Sequence, residues 1–133
     1  HSDTTRTVAI KSADEEMKKV YDIVLKAQLA VLDSVKPGAK CSDVDKIARD
    51  IISENGYGEY FGHATGHGVG LDIHESPVVS PRSETMLKKG MIITDEPGMY
   101  LPGKFGVRIE DMLCVTDTGY KNFVSLPKEL IIV

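Results

Sequence analysis

Residues 13–56 repeat apolar side chains at helical spacing and nothing after Gly56 does, a division that constrains the fold of this 133-residue chain more than any other feature. Ser12-Ala13-Asp14-Glu15 has the pattern of a capping box at a helix N-terminus. Val20, Ile23, Val24, Ala27, Val31 and Val35 then recur on one helical face, which predicts a helix over 13–35 ended by Pro37-Gly38. Ser42 to Asp45 repeats the capping pattern, and a second helix follows with Val44, Ile47, Ala48 and Ile51 inward, stopping near Asn55-Gly56. The charges on both helices read as solvated faces. Ahead of them, His1 to Ile10 reads as a strand, with Asp3, Thr5 and Thr7 on one face and Arg6, Val8 and Ile10 on the other. A preceding strand is its natural hairpin partner. Beyond Gly56 the expected strands are 91–95, 105–116, 123–126 and 130–133, with a turn at 117–119. Strand, two helices and then several strands is the order of an α+β fold. There is no internal repeat, low-complexity tract or linker, so the chain is one domain or part of one.

The composition allows one core: 41% of residues are hydrophobic and 27% charged. A formal net charge of -4 gives no footing for nucleic acid or an anionic membrane as partner. No apolar run approaches the roughly 20 residues that span a bilayer. Cys41 and Cys114 belong to no C-x-x-C pair and are expected as free thiols in a reducing cytoplasm. The sequence opens at His1 without a methionine, and is expected to be an internal piece of a longer protein.

Chemistry concentrates in a short stretch. His63, His67 and His74 are three of the four histidines in the chain, in a segment with glycines at 66, 68 and 70. Gly66-His67-Gly68-Val69-Gly70 is not a dinucleotide loop, because its third glycine comes too early and no βαβ unit surrounds it. His74-Glu75 does not begin H-E-x-x-H, since position 78 is Val78. Two glutamates join the histidines. Glu96 closes an apolar strand before Pro97-Gly98. Glu110 shares a strand face with Arg108, and that pair reads equally as a buried ion pair and as part of a site. Asp3, alone, would be a surface aspartate. Carboxylates with imidazole suit ions such as Mn²⁺, Co²⁺ or Fe²⁺, and two such ions bridged by carboxylates can activate water and polarise a carbonyl.

Four motifs carry a resemblance over essentially the whole chain. They are Ser2-Asp3-Thr4-Thr5-Arg6-Thr7-Val8, the run His63 to Glu75, Thr94-Asp95-Glu96-Pro97-Gly98-Met99-Tyr100, and Gly106-Val107-Arg108-Ile109-Glu110-Asp111. In this order they resemble the pita-bread (creatinase/aminopeptidase) metallopeptidases, in the proline-specific branch of Xaa-Pro aminopeptidases and Xaa-Pro dipeptidases (prolidases). The resemblance implies Asp3, His67, Glu96 and Glu110 as metal ligands, with a further aspartate on a strand preceding this chain. Two divalent ions per site are implied for the intact domain, Mn²⁺ or Co²⁺ first and Zn²⁺ or Fe²⁺ as further candidates. One ion position keeps all its protein ligands here; the other keeps only the bridging Asp3 and Glu110. The resemblance also implies hydrolysis of Xaa-Pro bonds by a metal-bound hydroxide, with Glu96 as proton shuttle, His63 and His74 as auxiliary histidines, and Arg108 on the substrate side.

The expected architecture is therefore the C-terminal part of a pita-bread α+β domain, a curved antiparallel sheet covered by two helices. Residues 1–133 form a partial catalytic domain, with most of its first half outside the chain. An open sheet edge and an exposed apolar face are expected, and with them homodimerisation or association with the N-terminal part. The expected setting is cytoplasmic, the expected substrates are proline-containing peptides or dipeptides, and this piece alone is expected to be weakly active or inactive. A creatinase-like hydrolase needs no metal and replaces the acidic ligands, and a pita-bread pseudoenzyme serving as a binding module loses ligands; here Asp3, His67, Glu96 and Glu110 are all present.

Overall fold

The computed structural model describes residues 1–133. In chain order the elements are β1 (Val8–Ala9), α1 (Glu15–Ser34), α2 (Cys41–Glu54), a 3-10 turn (Gly58–Tyr60), β2 (Gly66–Gly68), β3 (Glu75–Val79), β4 (Ile92–Asp95), β5 (Gly98–Leu101), β6 (Phe105–Arg108), β7 (Asp111–Val115), β8 (Tyr120–Asn122) and β9 (Ile131–Ile132). Five strands form an antiparallel sheet in the order β3-β2-β4-β7-β8; β5 and β6 pair as a hairpin, and β1 pairs with β9 in parallel.

Both helices form where the periodicity predicts them, but their caps differ. Asp14, not Ser12, caps α1, its carboxylate accepting from Met17 N at 2.8 Å. Glu15 and Glu16 then lie in the first turn, where the helix dipole favours negative charge. At α2 the expected Ser42 cap is absent. The N–H groups of Cys41 and Ser42 instead donate to the carbonyls of Thr85 and Ser83, so a neighbouring loop satisfies donors that a side-chain cap would otherwise take. Asn55 follows the last turn of α2, and Gly56, at φ +86°, supplies the left-handed residue that turns the chain away.

α1 packs its Val20, Ile23, Val24, Ala27 and Val31 row against α2 and the sheet. The buried row of α2 is Cys41, Val44, Asp45, Ala48 and Ile52, while Ile47 and Ile51 are only partly covered. This rotation corrects one expectation: Asp45 is fully buried instead of lying on a solvated face. Each fully buried aliphatic side chain in the shared core contributes about 1.5–3 kcal/mol.

The strands hold the larger corrections. Phe105–Thr116 is not continuous but divides into β6 and β7, and β4–β5 divides at the same level. The two halves nevertheless keep one register. Asp95 faces Asp111 and Gly98 faces Arg108, which sets Glu96 opposite Glu110 where the ladder opens. Pro97 has no N–H to offer there. Glu110 turns to a different neighbour, exchanging backbone hydrogen bonds with Thr5 at 3.0 and 3.4 Å.

The 1–10 strand contracts to Val8–Ala9 for a related reason. The Thr7 hydroxyl donates to Arg108 O at 2.9 Å and accepts from Arg108 N at 3.1 Å, so a side chain stands in for the backbone pair. At the other end 123–126 is not a strand. Val124 N donates to the Asn122 side chain at 2.8 Å, and the ladder stops with β8. Val8, Ile10, Ile131, Ile132 and Val133 remain exposed around the β1–β9 pair. Both cysteines are free thiols, Cys41 buried and Cys114 half-buried. No helix is long and apolar enough to cross a membrane.

Candidate metal centre

The opening between β4–β5 and β6–β7 gathers the predicted ligands. His67 lies in the middle of β2. A Cβ on Gly66 would fall 1.9 Å from the backbone oxygen of Thr94, so only glycine lets β2 run this close to β4. Thr94 then links the two strands through its side chain. Its Oγ1 accepts from His67 N at 3.0 Å and donates to Glu96 Oε1 at 3.0 Å.

The orientation of the His67 ring follows from its partner. Nδ1 lies 2.9 Å from Gly68 O; a carbonyl only accepts, so a neutral ring here carries its hydrogen on Nδ1 and turns the lone pair of Nε2 to the site. Nε2 points at carboxylates, 3.0 Å from Glu96 Oε1 and 3.4 Å from Asp3 Oδ2. Two donor groups share this nitrogen's neighbourhood. The ligating atoms of His67, Glu96 and Glu110 lie within 4.8 Å of one another, as do those of Asp3, His67 and His74. A lone pair and several carboxylates at this spacing repel one another in isolation, and they form the oxygen-plus-imidazole set that divalent cations take.

Glu110 is 2% exposed, and its Oε2 accepts from Thr5 Oγ1 at 2.5 Å. Burial pushes its carboxyl up to about 7; the charges of Glu96 and Asp3 add to the rise, while the Thr5 hydrogen bond and the Arg108 charge oppose it. The direct Arg108–Glu110 separation is a loose 3.9 Å. Thr5 lies between the two, also receiving Arg108 Nε at 3.1 Å, so the ion-pair reading of this strand face holds only through that hydroxyl.

At the rim, the structure places His63, Arg108 and one residue given no role from the sequence, Tyr100. His63 Nδ1 donates to Ala64 O at 2.8 Å, leaving Nε2 to accept the Tyr100 hydroxyl at 2.9 Å. Arg108 Nη1 lies 3.4 Å from the same hydroxyl oxygen. His74 is exposed, its ring centroid 4.2 Å from that of His67. Thr94 was also missed, although its place two residues before Glu96 on a strand sets both on one face.

Beneath the ligands is a buried acid pair. Asp111 accepts from Arg6, Gln28, Asn122 and Lys128 at 2.6–3.0 Å. Burial pushes its carboxyl up, but these hydrogen bonds and the Lys128 charge outweigh it and hold the group below the ordinary range. Asp95, opposite in the ladder, has no hydrogen-bond partner for either oxygen; burial and then the Asp111 charge raise it well above the usual carboxylate value.

Comparison with known proteins shows the family and the fold. Residues 1–117 match metallopeptidase family M24. The chain is 51% identical over 131 residues to an Xaa-Pro dipeptidase of Pyrococcus horikoshii, covering 98% of this chain and 37% of that protein. Its fold superposes on the Xaa-Pro dipeptidase from Bacillus anthracis with a TM-score of 0.97, at 51% identity, covering 99% of this chain and 37% of that one. On an X-Pro aminopeptidase from Thermotoga maritima the TM-score is 0.96 at 42% identity, covering 99% and 38%. The chain belongs to metallopeptidase family M24 and has the pita-bread α+β fold. It spans about 37% of the length of the curated relatives it matches.

Proposed function

We propose that the protein to which these residues contribute hydrolyses Xaa-Pro peptide bonds, and that residues 1–133 are a partial catalytic domain carrying most of the metal ligands. The observation that carries this reading is the convergence of His67 Nε2 with the carboxylates of Asp3, Glu96 and Glu110. In it, His67, Glu96, Asp3 and Glu110 would hold the divalent ions, Mn²⁺ or Co²⁺ being the ions expected. Bound by this set, such ions would supply Lewis acidity toward the scissile carbonyl and would lower the pKa of the attacking water.

The remaining chemistry belongs to side chains. Glu96, steadied by the Thr94 hydroxyl, accepts a proton from water and delivers it to the departing prolyl nitrogen. His74 holds the carbonyl oxygen as charge develops on it, while His63, whose Nε2 takes the Tyr100 hydroxyl, helps to orient the substrate. Arg108, on the open side of the site, orients the substrate. A prolyl amide has no N–H, so recognition rests on ring shape and carbonyl contacts. The exposed apolar surface around β1–β9 supports association with a second copy or with a preceding segment of the same protein. The expected setting is the cytoplasm.

Metal content after dialysis against Mn²⁺, with His67→Ala as control and Ala-Pro hydrolysis measured alongside, tests the reading. The expected result is about one ion per chain, lost in the variant, with weak hydrolysis. A folded wild-type chain that takes up no metal overturns it.

A further inference from the structure

Helix α2 carries a half-buried charged pair that the proposed chemistry does not use. Asp45 is fully buried, and Arg49, one turn later, forks onto it through Nε at 2.7 Å and Nη2 at 2.8 Å. Neither residue stops at the other. Arg49 Nη2 also donates to His63 O at 2.9 Å and Nη1 to Phe61 O at 3.1 Å. The guanidinium lies 4.3 Å from the centroid of the Phe61 ring, and Phe61 meets the His63 ring edge-on at 5.2 Å. Asp45 Oδ1 accepts from both Thr65 N at 3.1 Å and Thr65 Oγ1 at 2.9 Å. The loop is thus held at residues 61, 63 and 65, on both sides of the histidine that meets Tyr100.

A surface i,i+4 pair is worth only a few tenths of a kcal/mol to a helix, whereas here the carboxylate is buried, the guanidinium is mostly covered, and Nη1 and Nη2 donate to carbonyls of a single loop. We propose that the Asp45–Arg49 pair is a positioning unit for the substrate side of the site, fixing the His63 ring against Tyr100 and Arg108. The pair touches no reacting atom; it acts through His63. The fork is the required feature, because one planar guanidinium spans the Asp45 carboxylate and two carbonyls at once, and an ammonium cannot. The functional half of this inference rests on the proposed role of His63; the structural half does not.

Nuclear Overhauser contacts in the chain test it. In Arg49→Met the His63–Tyr100 ring contact is expected to disappear while the His67–His74 contact keeps its wild-type intensity. Arg49→Lys keeps the charge beside Asp45 and the stem over Phe61, which preserves the fold, and is expected to give the same selective loss. Retention of both contacts, or equal loss of both, overturns the proposal, since a merely structural pair would loosen the site without preference. In Ala-Pro hydrolysis, Arg49→Lys is expected to lower kcat/KM about tenfold, chiefly through KM. The same change made in His63→Ala is expected to have less than about a twofold effect, because the two residues act as one unit. Equal effects in both backgrounds overturn the coupling. If residues 1–133 alone hydrolyse nothing, an outcome already expected of a partial catalytic domain, the ring-contact result by itself decides the inference.

Discussion

Arg6 Nη2 donates to Asp111 Oδ1 at 2.7 Å, and the same guanidinium reaches the carbonyls of Thr5 and Glu110 through Nη1 at 2.9 and 2.8 Å. One side chain thereby fastens the segment carrying Asp3 to the point where Glu110 leaves the ladder. Asp111 is fully buried, so removing Arg6 leaves a buried carboxylate short of its partner. Arg6→Met is expected to destabilise the chain by about 3–5 kcal/mol in urea unfolding. A loss below about 1 kcal/mol would mean that Lys128, Gln28 and Asn122 suffice for Asp111.

The raised Glu110 carboxyl fixes the sign of a pH effect in metal-free protein. Its folded value of about 7 exceeds the ordinary 4.5, so the folded state binds more protons than the unfolded state between these limits. Stability from this group is greatest at the acid end of that window and falls as pH rises through it. Melting temperatures in the presence of a chelator are expected to decline across the window, and Glu110→Gln is expected to flatten the decline. Because a metal needs the carboxylate, ion uptake near pH 6 is expected to release protons, measurable by calorimetry in buffers of different ionisation enthalpy.

Thr94→Val removes the hydroxyl that joins His67 N to Glu96 while keeping the shape of the side chain. Support of this kind around ligands is worth about 10–100-fold in metal affinity. Titration calorimetry with Mn²⁺ is expected to show a loss in that range. Unchanged affinity would show that the strands alone aim the two ligands.

Gly66→Ala places a methyl group against the Thr94 carbonyl, where there is no room, and is expected to cost at least about 1–3 kcal/mol. Gly62 provides the control. A Cβ there meets nothing within 4 Å, so Gly62→Ala is expected to stay within about 0.5 kcal/mol of wild type. Similar melting temperatures for the two variants would refute the close-approach argument.

Both helices were legible from apolar spacing, because a 3.6-residue repeat over four or five turns leaves little choice of inward face. The placement of α2 shows the limit of that method. Val44 and Ala48 are buried as the spacing predicts, yet Ile52 and Asp45 take the deeper positions expected of Ile47 and Ile51. Polar partners on a distant loop, Thr65 above all, decided the rotation, and a local pattern cannot anticipate them. The division of 105–116 was hidden for a similar reason. Alternation runs unbroken through Arg108 and Glu110, while the opening depends on Pro97 across the hairpin and on Thr5 from the other end of the chain.

By itself the sequence determined the helices, the α+β order and the residue types of the site. Glycines among histidines and acids at strand ends are local properties, and four ordered motifs carry the family resemblance. Tertiary structure decided that Glu96 faces Glu110 across an opened ladder, that Thr5 stands between Glu110 and Arg108, and that Arg49, paired with buried Asp45 on α2, reaches the loop of His63. Each of these joins residues far apart in the chain through hydrogen bonds a few ångströms long. Such distances are set by how the elements pack, and no spacing along the sequence encodes them.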